Sequence, residues 1–267
     1  MTAMDGALRL WFLLTLASLV VVGVDLTWNT PATTVMKWGW ALVVAYTGPI
    51  GLVIYLLSCR QPLPGTHDEY VAPLWKQAVG STIHCVAGDA TGVIVGALVG
   101  VALAVPARLD VAFEYAAGFA FGLLIFQSLF MRSTMGGRYV TALRRTLLPE
   151  WLSMNALMGG MIPVMSILMR RHPNAMRPDG LRFWGVMSAA IMAGAVVAYP
   201  VNAWLVAHGL KHGMGSASAL GHGGASGIRH PTPRVPSPAQ IAAMSVATLV
   251  VLAIGVALAV RFGTLGA

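Results

Sequence analysis

A histidine, a cysteine and an aspartate fall within six residues, His84, Cys85 and Asp89, in an apolar stretch long enough to cross a bilayer. At membrane depth each such group needs a partner, a water-filled cavity or a ligand. At 3.6 residues per turn, Ser81, Cys85 and Asp89 share one helix face and His84 flanks it. Imidazole and thiol suit a soft or borderline metal ion, whereas Mg²⁺ and Ca²⁺ call for clustered oxygens. Asp89 offers a different chemistry as well, because a buried carboxyl group can carry a proton. The same stretch holds Gly88, Gly92, Gly96 and Gly100 at steps of four. That ladder lets a neighbouring helix, either the next one through Gly118 and Gly122 or the same helix of a second copy, approach closely and bury the polar face between them.

A second pattern lies farther along. Met154, Met158, Met161, Met165 and Met169 recur at steps of four, three, four and four, which places them within a stripe of about 80° on a helix. Thioether sulfur is a soft ligand, so the stripe offers a path for Cu(I). Methionine also fills irregular gaps between packed helices with no metal involved. Pro163 removes a backbone donor and frees the Gly159 carbonyl to face a cavity. Gln127, Tyr199 and Asn202 are further polar groups within apolar stretches and read as substrate- or cavity-lining, Gln127 by hydrogen-bonding between helices and Tyr199 with Asn202 on the same cavity as the metal set. Glu114 reads as a side chain that snorkels to the interface. His208, His212, His222 and His230, with Met214, form a scattered set suited to capturing a metal ion.

The elements that must position these groups follow from composition. Of 267 residues, 57% are hydrophobic and only 10% charged, which excludes an ordinary soluble domain. Seven stretches reach the roughly 20 apolar residues a bilayer core demands, near 7–25, 35–58, 78–104, 109–131, 147–170, 181–207 and 241–262. The fold class is therefore all-α, a polytopic transmembrane bundle of about seven helices. The first stretch lacks a small-residue cleavage site and reads as a retained helix. Residues 1–74 comprise two helices and a polar connection, and 75–215 form a core of four helices. A Gly/Ser/Pro/His-rich linker spans 216–240, and the last helix lies within 241–267. Residues 138–148 read as a short amphipathic surface helix.

The net charge of +8 belongs to loops that meet anionic lipid; no basic, aromatic-laced surface suited to nucleic acid is present. With the N-terminus in the cytoplasm, inner loops carry ten Lys and Arg and outer loops seven, so the expected location is the cell (inner) membrane with that orientation. Cys59 and Cys85 then face the reducing side as free thiols. The expected partners are the bilayer, a metal ion or small solute, and a second copy docked through the glycine face.

The chain resembles a known family over roughly 75–215. The run His84-Cys85-x-x-Gly88, then Phe130-Met131-Arg132, Leu152-Ser153, Gly160-Met161-x-x-x-Met165 and Phe183-Trp184 carries the likeness. Tyr199-Pro200-Val201-Asn202-Ala203-Trp204-Leu205, followed by Gly209-Leu210-Lys211 and Met214, carries it most clearly. The family is a bacterial membrane family, domain of unknown function 4396, whose pattern continues His-Cys-x-x-Gly-Cys-x-x-Gly-Asp. Here Asp89 stands at the second cysteine position and Val93 at the aspartate position. The resemblance implies a membrane architecture and a link to copper handling. Three functions follow as expectations. The first is transport of a soft metal ion, Cu(I) foremost, through His84, Cys85, Asp89, Met154, Met158, Met161 and Met165. The second is a proton- or ion-coupled carrier of a small solute using Asp89. The third is a redox or cofactor accessory subunit. No nucleophile–base arrangement points to an enzyme.

Overall fold

A computed structural model describes residues 3–128, 139–212 and 234–266, and these are helical without strands. The helices are α1 (Ala3–Trp28), α2 (Thr34–Ser58), the short α3 (His67–Val71), α4 (Leu74–Ala102), α5 (Ala107–Phe121), α6 (Tyr139–Arg171), α7 (Leu181–Ala207) and α8 (Pro238–Phe262). All but α3 are long and apolar enough to cross a membrane, α5 together with the π-helical turn that continues it to Gln127, and the bundle is that of a multi-pass membrane protein. The apolar spans of α4 and α6 are 67% and 72% buried, against 17% for α1 and 11% for α8. Two central helices are thus wrapped by others that face lipid, and polar side chains on α4 and α6 are hidden from it.

Helix α6 differs from expectation. Residues from Tyr139 onward continue through Pro149 as one helix of 33 residues, so 139–148 are its first turns and not a separate surface helix. Its length, about 50 Å at 1.5 Å per residue, exceeds a bilayer core and puts Glu150 three turns inside. The last helix begins at Pro238, capped by Ser237, whose hydroxyl accepts from Gln240 N–H while the Gln240 side chain accepts from Ser237 N–H. This reciprocal cap satisfies donors that would otherwise be exposed.

The glycine ladder of α4 is filled from within the chain. A Cβ at Gly88 would meet Gly122 Cα at 2.9 Å, one at Gly92 would meet Gly118 Cα at 2.7 Å, and one at Gly96 would meet Glu114 Cα at 3.1 Å. A Cβ at Gly100 would lie 2.5 Å from an Asp110 carboxylate oxygen. Helix α5 lies so close that backbone meets backbone. The expected docking of a second copy on this face is therefore corrected, because α5 already covers the glycines. The Gly159 carbonyl likewise faces no cavity: Gly255 of α8 is packed directly on it. Near the chain start, Asp25 accepts from Thr30, Asn29, Tyr55 and Arg60, tying α1 to the end of α2.

Candidate functional site

Cys85, Asp89 and Glu150 converge at the α4–α6 contact. One ligand atom from each lies within 4.8 Å of the others, and all three residues are fully buried. The Cys85 thiol donates to Asp89 Oδ2 at 3.0 Å. The second oxygen of Asp89 and Oε1 of Glu150 face one another beside Gly122, and neither receives a hydrogen from another described donor. Glu150 Oε2 accepts from Lys211 Nζ at 3.1 Å. Lys211 donates as well to Ser153 Oγ at 2.8 Å and to Asn202 Oδ1 at 3.2 Å. The chain of contacts runs Cys85, Asp89, Glu150, Lys211, and then Ser153 with Asn202.

Local structure explains how each group arrives. Cys85 and Asp89 are four residues apart on α4 and so lie one above the other. Beyond Phe121 the backbone widens into a π-helical turn, Gly122–Gln127, a feature often found at functional positions. The missing side chain of Gly122 admits the carboxylate pair: a Cβ there would overlap Asp89 Oδ1. The same turn presents the Phe126 carbonyl, which accepts from His84 Nε2 at 3.2 Å. Lys211 is returned to the bundle by the end of α7. Gly209 has φ +67°, and the amides of Gly209 and Leu210 donate to the carbonyls of Val206 and Leu205. This left-handed stop is a glycine conformation. Gly209→Ala should lower stability by about 1 kcal/mol and loosen Lys211 from Glu150; an unchanged melting curve would refute that account of the turn.

Burial works against the Lys211 ammonium, but the acidic groups of Cys85, Glu150 and Asp89 outweigh it and raise the lysine pKa above its ordinary value. The cation is thus held charged by its neighbours. Burial alone lowers the pKa of the adjacent His212 imidazole.

The sequence-derived candidates separate into groups. Cys85 and Asp89 are in the cluster, and Asn202 joins it through Ser153 and Lys211. His84 and Gln127 line a small polar cavity beside it, with Ser81, Thr146, Lys211 and His212. Tyr199 lies elsewhere, on an apolar cavity of about 260 Å³ between α2, α4 and α7; its assignment to the same cavity is corrected. Met154, Met158, Met161 and Met165 are buried in the core. A Cβ at Gly118 would lie 2.6 Å from the Met154 methyl, and one at Gly194 of α7 would lie 2.6 Å from Met161 Cγ. The stripe thus turns toward different neighbours, and Met154 is the member beside the α4–α5 groove. His208 Nδ1 donates to the Trp204 carbonyl at 2.8 Å. Met214, His222 and His230 lie outside the described residues.

Glu150 is a member that the sequence reading passed over, while Ser153 and Lys211 entered it only as part of the family likeness and not as site residues. Glu150 sits four residues before Met154 on the same stripe, a signal hidden by placing the helix start at 147. Lys211 follows a helix-ending glycine, which reads equally well as the start of a linker.

The matched family model, domain of unknown function (DUF4396), covers residues 74–211. The chain belongs to this family. The matched stretch begins at the first residue of α4 and ends at Lys211, so it holds every member of the DUF4396 cluster described above. No curated protein and no solved structure matches the chain.

Proposed function

We propose that this DUF4396 protein binds a transition-metal cation within the membrane at Cys85, Asp89 and Glu150, as part of moving or handling that ion. The observation that carries the reading is the convergence of three fully buried donor atoms within 4.8 Å of one another. Charge supports it. One thiolate and two carboxylates against one ammonium sum to −2, which a divalent ion cancels in a medium where net charge is costly. One sulfur with two carboxylate oxygens suits a borderline ion such as Zn²⁺. Cu(I) is supported by the Met154 thioether, whose methyl lies at Gly118, four residues from Gly122. Lys211, Ser153 and Asn202 hold Glu150 in place and leave its other oxygen toward Asp89.

Elemental analysis of the purified protein, after exposure to Zn²⁺ or to Cu(I), tests this. Bound metal is expected in the wild type and lost in Cys85→Ala and Glu150→Gln; loss in Met154→Leu with copper alone would identify Cu(I). A wild type that retains neither ion defeats the reading.

A second reading rests on a separate observation. With the thiol intact, two carboxylates facing one ammonium carry one negative charge, and a single proton shared by Asp89 and Glu150 balances it. The protein is then a proton-coupled carrier of a small solute. Asp89→Asn should abolish coupling in that case while every methionine proves replaceable.

A further inference from the structure

A second pair of carboxylates lies on the other side of the α4–α5 contact. Glu114 is only 2% exposed, and its Oε2 meets no hydrogen-bond partner among the described residues. Its Cγ lies 3.7 Å from where a Gly96 Cβ would stand, so the side chain is packed into the glycine groove. It does not snorkel to the interface. Asp110, one helical turn away on the same face, places a carboxylate oxygen against Gly100, and its Oδ1 is likewise buried without a partner. The C-terminal carbonyls of α4 and the first-turn amides of α5, the turn that holds Asp110, both lie at this end. Two acids one turn apart, each with a buried oxygen that has no partner among the described residues, are a cost to the fold that a bound cation would offset.

The two acidic sites lie along one helix path. From Gly122, beside Asp89 and Glu150, to Glu114 is eight residues of helix, about 12 Å; Asp110 is about 6 Å beyond. Between the two levels, the Met154 methyl rests at Gly118. Tyr115 Oη donates to Asn155 Oδ1 at 2.7 Å there. On the opposite side of the cluster, His84, Gln127, Lys211 and His212 line the small polar cavity. Polar or polarisable side chains therefore follow one another along most of the α4–α5 axis, with the Cys85 cluster between two polar ends.

We propose that Glu114, with Asp110 at its outer side, is a second cation-binding station, separate from the Cys85, Asp89 and Glu150 site and one helix stretch away from it. The choice of cation rests on the metal reading above, while the station itself stands on Glu114 and Asp110.

Dicyclohexylcarbodiimide, an apolar reagent that modifies carboxyl groups buried in membranes, tests the station directly. The full-length protein in detergent is labelled with and without Zn²⁺, and adducts are mapped by mass spectrometry. Glu114 is expected to be modified, and Zn²⁺ at ten times its half-protecting concentration should slow that labelling roughly tenfold. Asp110→Asn should raise the half-protecting concentration, and Glu114→Gln should remove the adduct. Cys85→Ala keeps Glu114 protection while losing metal at the central site, which separates the two proposals. A wild type whose Glu114 stays unlabelled, or is labelled equally with and without Zn²⁺, overturns the station. Central-site metal content unaffected by Cys85→Ala defeats the other reading instead.

Discussion

Lys211→Met should destabilise the folded chain by about 3–5 kcal/mol, the cost of leaving a buried charge without its partner. Glu150 is fully buried and receives its ion-pair hydrogen bond from Lys211, whose side chain is 4% exposed. Methionine matches the length of the lysine stem but cannot donate, so Glu150 Oε2, Ser153 Oγ and Asn202 Oδ1 all lose a donor at once. The check is thermal or denaturant unfolding in detergent, followed with the Glu150→Gln single variant and the Glu150→Gln/Lys211→Met double variant. If the ion pair is the cause, the double variant recovers much of the loss, because no charge is then stranded. Equal destabilisation of single and double variants would assign the effect to packing instead.

Gly122→Ala is the second large effect, and it acts on geometry more than on charge. Its Cβ would overlap Asp89 Oδ1 and press on Glu150 Oε1, so the carboxylate pair must separate or α5 must shift away from α4. Overpacking of this kind costs about 1–3 kcal/mol. The expected result is a lower unfolding temperature together with loss of cation binding at the central site. Gly23→Ala supplies the control, since a Cβ there meets nothing within 4 Å. That substitution should be neutral, or stabilising by up to about 1 kcal/mol through helix propensity. Gly122→Ala behaving like Gly23→Ala would show that the close α4–α5 approach does not define the site.

These two predictions bear on how the parts depend on one another. The glycines of α4 admit α5, α5 contributes a π-helical turn, and that turn has a glycine where two acids must meet. Local chain geometry thereby sets the electrostatics: carboxylates brought together in a buried contact demand a compensating positive charge, which Lys211 supplies in part.

The bundle itself was legible from residue order. Seven apolar stretches, each near bilayer length, leave a backbone no option but helix, because hydrocarbon satisfies no hydrogen bond. The cost of a polar group at such depth also singled out Cys85 and Asp89 before any contact was known. The four glycine steps announced a close helix neighbour. Periodicity reports which face of a helix is special but carries no information on what faces it. Gly118 and Gly122 were therefore equal in sequence to a second copy of the chain as partners for that ladder; the fold chose them.

Glu150 shows the limit most plainly. Beside Pro149 and after a basic run, it reads as a loop-edge residue; in the fold it lies three turns inside α6, against Asp89. Lys211 stands beyond the last turn of α7, and only the left-handed backbone of Gly209 sends it inward. Tyr199 and Asn202 are three residues apart in one helix, yet one lines an apolar cavity and the other bonds to Ser153 and Lys211. What the sequence by itself determined was the class of protein and the presence of costly buried groups, because transfer free energy and helical period are local properties. Which groups meet, and hence the charge of the site, only the tertiary structure decided, because contacts between residues 61 and 122 positions apart depend on how separate helices pack, and ligand chemistry depends on distances that no single helix contains.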